Sequence, residues 1–295
     1  MNVAGAYYRP LVQIGPVRPR GAGRLAGGGG WFTHLEVLER GRVPQIIELG
    51  QVPSEVLDQL CSPRSDIGGL SMDRPRIMGI LNATPDSFSD GGLHEDAQKA
   101  VAAGMAMQQA GADVLDIGGE STRPGAQTVA IEEEIARVEP VISGLSDAGT
   151  SALISIDTRK ASVADAALQA GAGLINDVSG FTYDADLAPL AAASAVPVCV
   201  MHAQGDPATM HHNPSYENVL LDVYDFLASQ IGELQQKGIP PNRIMADPGI
   251  GFGKTLEHNL TLLSRLSLFH SLGVTLLLGA SRKRFIGTIL DQPQA

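Results

Sequence analysis

The sequence predicts an α/β protein, a TIM-type (β/α)8 barrel carrying an N-terminal extension. Three observations carry that prediction. From Arg76 onward, seven short apolar runs alternate with amphipathic, alanine-rich stretches, the pattern of a parallel sheet buried on both faces. The runs end in polar residues, namely Asn82, Glu120, Asp157, Asn176, His202, Asp247 and Ser281. A barrel builds its active site at those carboxyl ends, whereas a doubly wound open sheet uses mainly a switch point. The length, 295 residues, suits one large barrel with an extension.

Residues 1–74 read as the extension and 75–295 as the barrel. The first segment is rich in glycine and proline, and it carries Arg9, Arg18, Arg20 and Arg24 before its first acid, Glu36. It has no serine before Ser54 and no apolar h-region, so packing on the barrel is expected rather than targeting. Pro53–Leu60 suits a short helix with Ser54 as N-cap. The strands are expected at 76–82, 114–120, 153–158, 174–179, 197–202, 243–248 and 274–281. Helices are expected at 95–110, 131–147, 161–170 and 216–237. Gly111, Gly171 and Gly273 precede strands, as helix C-caps do.

Charge and composition exclude several classes. A net charge of −11 is unsuited to gripping a nucleic-acid backbone. No run approaches the roughly 18 apolar residues of a membrane span. The 44 % of apolar residues can bury a sizeable core. Two cysteines, Cys61 and Cys199, form neither a disulfide framework nor a zinc cluster, which suits a reducing, cytoplasmic setting.

Several stretches could carry chemistry. DPGIGFGKT (247–255) approaches a phosphate-binding loop, but Pro248 stands where the loop needs its first glycine. Proline lacks the N–H that would face phosphate. Its glycines are better suited to bringing a loop close to a flat ligand beside Asp247 and Phe252. SRK (281–283) follows an apolar strand and offers an anion site. ILNATPDSFSDGG (80–92) and ESTRPG (120–125) resemble paired lids carrying Asp86, Asp90, Thr122 and Arg123. Asp157, Asn176 and Asp247 lie at three strand ends without a paired nucleophile and base. They suit recognition of a flat N–C–N edge, because a carboxylate accepts two parallel N–H bonds. His202, His211, His212 and Asp206 lack metalloprotease spacing, and Cys199 reads as a small core residue.

Together these stretches closely resemble one family, the dihydropteroate synthases of folate biosynthesis. The matching motifs are MGILNATPDSFSDGG, DIGGESTRPGA, SIDTRK, INDVSG, MHAQGDP, ADPGIGFGK and GASRK, in order across about residues 76–290. The resemblance implies a transferase that joins 6-hydroxymethyl-7,8-dihydropterin diphosphate to p-aminobenzoate and releases pyrophosphate. It implies that Asp157, Asn176, Asp247 and Lys283 hold the pterin. Asn82 and Asp90 would meet Mg2+–pyrophosphate, with Arg123 as a facing cation. Phe88, Thr122, Pro124, Phe252 and Ser281 would form the p-aminobenzoate pocket, where sulfonamides compete. It leaves a homodimer possible.

A methyltetrahydrofolate-dependent methyltransferase shares the strand-end Asp and Asn, but SRK and the 80–92 stretch speak against it. The family's eighth strand carries an Arg-x-His motif. At about 33 residues per unit, eight units from residue 76 would need about 45 residues beyond Ala295. The expectation is therefore seven βα units, with the eighth missing from this chain. A non-catalytic pterin-binding homologue is accordingly a third reading.

Overall fold

The computed structural model describes residues 5–83, 92–121, 128–205 and 214–291. Its first part is richer in strand than the glycine and proline content suggested. Strands β1 (Ala6–Pro10), β4 (His34–Glu39) and β5 (Gln45–Glu48) form an antiparallel sheet in the order β1-β4-β5, and β2 (Gly23–Arg24) pairs with β3 (Trp31–Phe32). Helix α1 spans Ser54–Cys61 with Pro53, not Ser54, at the cap. The fixed φ of proline suits entry into a helix.

The second part alternates strand and helix. It comprises β6 (Met78–Asn82), α2 (Gly92–Gln109), β7 (Val114–Gly118), α3 (Ile131–Asp147), β8 (Leu153–Asp157) and α4 (Ala161–Ala170). These are followed by β9 (Leu174–Asp177), α5 (Leu187–Ser194), β10 (Val198–Met201) and α6 (Val219–Gln236). The series ends with β11 (Ile244–Asp247), α7 (Leu256–Ser264), β12 (Thr275–Leu276) and α8 (Arg284–Leu290). The seven strands pair in parallel and in sequence order, β6 to β12, and curl into a half-barrel with the helices outside.

Strand residues alternate between two cores, as the two-residue period of a strand requires. Ile175, Val198, Val200, Ile244 and Ala246 face the helices. Leu174, Cys199 and Met245 point inward and meet Ile67 of the N-terminal part, so Cys199 is the small core residue its setting suggested. The two parts share further contacts. Tyr7 donates to Asp225 of α6 at 2.8 Å, Arg40 pairs with Asp222 and Asp225, and Ser267 Oγ donates to the Pro10 carbonyl.

Strand β12 is shorter than the apolar run 274–281 implied. Among the described residues it has a neighbour on one side only, with its ladder to β11 formed at Thr275 and Leu276 and one further bond from Leu277 N–H to the Ala246 carbonyl. Ile80 on β6, the other outer strand, is exposed. Gly171 and Gly273 take positive φ as C-caps, as expected from their place before strands.

Candidate active site

Register brings Asn82, Asp157 and Asn176 into one row, with Asp247 two residues further along its strand. Asn82 pairs with Gly118, Gly118 with Asp157, and Asp157 with Asn176. Two strands further on, Met201 pairs with Asp247. Gly118 keeps this row open, since a Cβ there would stand 3.6 Å from Asp157 Oδ2 and 3.9 Å from Asn82 Oδ1. Asn82 is exposed and Asp157 half-buried, while Asn176 and Asp247 are only 7 % and 5 % exposed.

Beneath the row lies a residue that sequence reasoning missed. The Asp116 carboxylate, buried in mid-strand β7, accepts from Ser155 Oγ at 2.6 Å and from Asn176 Nδ2 at 3.0 Å. One N–H of Asn176 is thereby committed, which fixes the amide plane, and its other N–H and its carbonyl have no partner among the described residues. The remaining carboxylates are held under electrostatic load. Burial, then Asp116, Asp177, Glu134 and Glu120, push the Asp157 carboxyl well above the usual range. Burial pushes Asp247 up to about 6, against the pull of the Gly249 N–H, Lys283 and Lys254. Such groups need hydrogen-bond donors to ionise comfortably.

Asp247 is positioned by the loop after β11. Gly249 N–H donates to its Oδ1 at 2.7 Å, and Gly251 N–H donates to Asn259 Oδ1 at 2.7 Å. Gly249, Gly251 and Gly253 all take positive φ, at +68°, +85° and +59°. At Gly249 a Cβ would collide with the His202 carbonyl, and at Gly253 it would stand 2.5 Å from the Gln204 carbonyl. Two of these glycines therefore serve a close approach between neighbouring loops. At Gly251 a Cβ would press on Lys283, 3.0 Å from its Cδ.

Lys283 precedes α8 and turns inward. Its Nζ lies 4.1 Å from the centre of the Phe252 ring, and Asp247 and Asp157 partly offset the burial that lowers its pKa. The SRK cation thus faces the carboxylates and an aromatic face, whereas Ser281 and Arg282 are exposed.

Two other strand-end residues face away from ligand duty. Glu120 joins a buried ion cluster, with Lys160 Nζ 2.7 Å from Glu120 and 2.5 Å from Glu134, and Arg159 2.8 Å from Glu120. His202 is buried and its Nδ1 faces Lys254. Burial and that neighbour lower its pKa to about 3. Among the described residues no group of three His, Cys, Asp or Glu side chains could hold a metal. Phe88, Asp90, Thr122, Arg123 and Pro124 lie outside the described residues, as do Asp86, Asp206, His211 and His212.

A curled parallel sheet with carboxylates, an amide and a lysine gathered over its strand ends defines an enzyme of the TIM-barrel class. Comparison with known proteins narrows the class. Residues 78–295 match the pterin binding enzymes. A dihydropteroate synthase of Synechocystis sp. is 45 % identical over 243 residues, 80 % of this chain and 84 % of the relative. A solved dihydropteroate synthase of Xanthomonas albilineans with 4-aminobenzoic acid is 47 % identical with a TM-score of 0.72, covering 78 % of this chain and 82 % of that one. The Yersinia pestis enzyme, solved as a sulfonamide drug complex, is 44 % identical with a TM-score of 0.71, covering 77 % and 82 %. The chain belongs to the dihydropteroate synthases, a family of transferases.

Proposed function

We propose that this chain condenses 6-hydroxymethyl-7,8-dihydropterin diphosphate with p-aminobenzoate to give 7,8-dihydropteroate and pyrophosphate. The observation that carries the reading is the arc of Asp157, Asn176 and Asp247, with Asp116 locking the amide from behind. An aminopyrimidinone edge is a row of N–H donors and ring acceptors. Its donors would repay the burial of the two carboxylates, and the other half of the Asn176 amide can meet either kind of group. Lys283 suits the ring carbonyl. The Phe252 face and Ser281 border the side where p-aminobenzoate would lie.

In the reaction the pterin CH2–O bond breaks, and its electron pair leaves with the pyrophosphate oxygen. The arylamine lone pair forms the new C–N bond, and the amine proton passes to solvent. Positioning and charge stabilisation supply most of the acceleration, so no strong base is required. A bound Mg2+ would neutralise charge on the departing pyrophosphate. Such an ion takes one or two protein oxygens and completes its shell with phosphate and water. The exposed Asn82 amide, with its oxygen facing the space over Gly118, has the required chemistry. The facing cation expected at Arg123 and the loop carboxylate Asp90 belong to the same proposal.

No described helix is long and apolar enough to cross a membrane, and Cys61 and Cys199 are free thiols. These features support a cytoplasmic enzyme acting on small molecules. The test is pyrophosphate release by the purified chain. Release requiring both the pterin diphosphate and p-aminobenzoate is expected, and release indifferent to p-aminobenzoate would overturn the proposal.

A further inference from the structure

One buried cation is unused by the reaction as written. Lys254 is 6 % exposed, and no carboxylate pairs with its ammonium at salt-bridge distance among the described residues. Its Nζ lies 2.9 Å from His202 Nδ1, 2.9 Å from the Gly249 carbonyl, 3.0 Å from the Phe252 carbonyl and 3.3 Å from the His202 carbonyl. An ammonium has three N–H donors and no acceptor. When Lys254 is protonated, the His202 ring presents a lone pair at Nδ1, which fits its suppressed basicity. Burial lowers the lysine to about 7 while Asp247 pulls it upward.

The four acceptors come from two chain segments that meet over the barrel mouth. His202 directly follows β10, and its N–H donates to the Asp247 carbonyl at 3.0 Å. Gly249 and Phe252 belong to the loop after β11. Glycines 249 and 253 let these segments touch backbone to backbone, and Tyr216 closes the far end by donating to the Gly253 carbonyl at 2.8 Å. Abutting carbonyls repel one another unless a donor lies between them, and the Lys254 ammonium fills that position. The same loop supplies the N–H that holds Asp247 and the ring beneath Lys283.

We propose that Lys254 is a positioning residue for the substrate site, its ammonium clamping the seam between the β10 end and the loop after β11 so that Asp247, Phe252 and Lys283 keep their working arrangement. The inference rests on the proposed reaction for its kinetic meaning, but the clamp can be observed without substrate. Lys254→Met removes the donors at similar volume, and Lys254→Gln keeps two of them.

Lys254→Met is expected to raise KM for the pterin diphosphate at least tenfold and to change kcat by less than about threefold, with Lys254→Gln in between. In ligand-free enzyme, amide exchange should quicken at Gly249 and Phe252 while Ile175 and Val200 in the central strands keep their protection. Unchanged exchange at Gly249 and Phe252, or quickened exchange across the whole sheet, would overturn the clamp whatever the kinetics. A native pterin KM in an active Lys254→Met enzyme would overturn its role in the site. Local quickening together with an inactive wild type would overturn the reaction and leave the clamp standing.

Discussion

Asp247→Asn separates the cost of the site from its use. The carboxylate is 5 % exposed and its pKa is pushed up to about 6 from an ordinary 3.8. At 1.36 kcal/mol per unit, ionised Asp247 costs the fold up to about 3 kcal/mol at neutral pH. The sign follows from proton binding. A folded-state pKa above the unfolded one means the fold binds the extra proton between about pH 4 and 6. Stability is thus greatest below that window and declines as pH rises through it. The asparagine keeps an oxygen for the Gly249 N–H and carries no charge, so the variant should melt several degrees higher at pH 7.5.

Its pterin site should suffer in exchange, because an N–H bond to a charged acceptor is worth about 1.5–3 kcal/mol. KM for the pterin diphosphate should rise between about ten- and a hundredfold. In the wild type the ionised fraction falls about tenfold between pH 7.5 and 5, and pterin affinity should fall with it. The variant should lose that dependence. Thermal melts and steady-state kinetics at saturating p-aminobenzoate provide the assay. A variant that melts lower, with an unchanged KM and the wild-type pH profile, would refute the reasoning.

Three further outcomes are expected. Lys160→Met leaves the buried Glu134 and the half-buried Glu120 without their shared cation, which should cost about 3–5 kcal/mol in urea unfolding, and adding Glu134→Gln should recover part of it. Asn82→Ala removes the candidate protein oxygen for Mg2+, so the Mg2+ concentration giving half-maximal turnover should rise severalfold while KM for p-aminobenzoate stays within about twofold. A sulfonamide should inhibit competitively against p-aminobenzoate and not against the pterin substrate. Inhibition competitive with the pterin would place the drug on the other half of the site.

Much of this was legible because the strand period and the barrel register carry residue type directly into position. Once β6, β7, β8 and β9 pair in order, Asn82, Asp157 and Asn176 stand in one row. Helices α3 and α4 begin and end where their amphipathic pattern does. What escaped notice escaped for physical reasons. Helix α5, LAPLAAAS, is apolar on every side and shows no periodicity to detect. The antiparallel sheet of the first 50 residues is built from short strands whose glycine-rich connections mask it.

Asp116 sits two residues before its strand ends, so a search confined to strand termini passes over it, although a lone carboxylate inside an apolar run is itself the signal. Lys254 is the sharper case. A lysine after a run of glycines suggests a cation offered to phosphate, and sequence specifies the residue but not its direction. The positive φ angles at 249, 251 and 253 decide that direction by pressing the loop onto its neighbour. An ammonium confined in that seam among carbonyls is held by its acceptors, and moving it out toward a ligand would break contacts to both segments at once. The glycines that mimic a phosphate loop are therefore the reason this lysine cannot act as one.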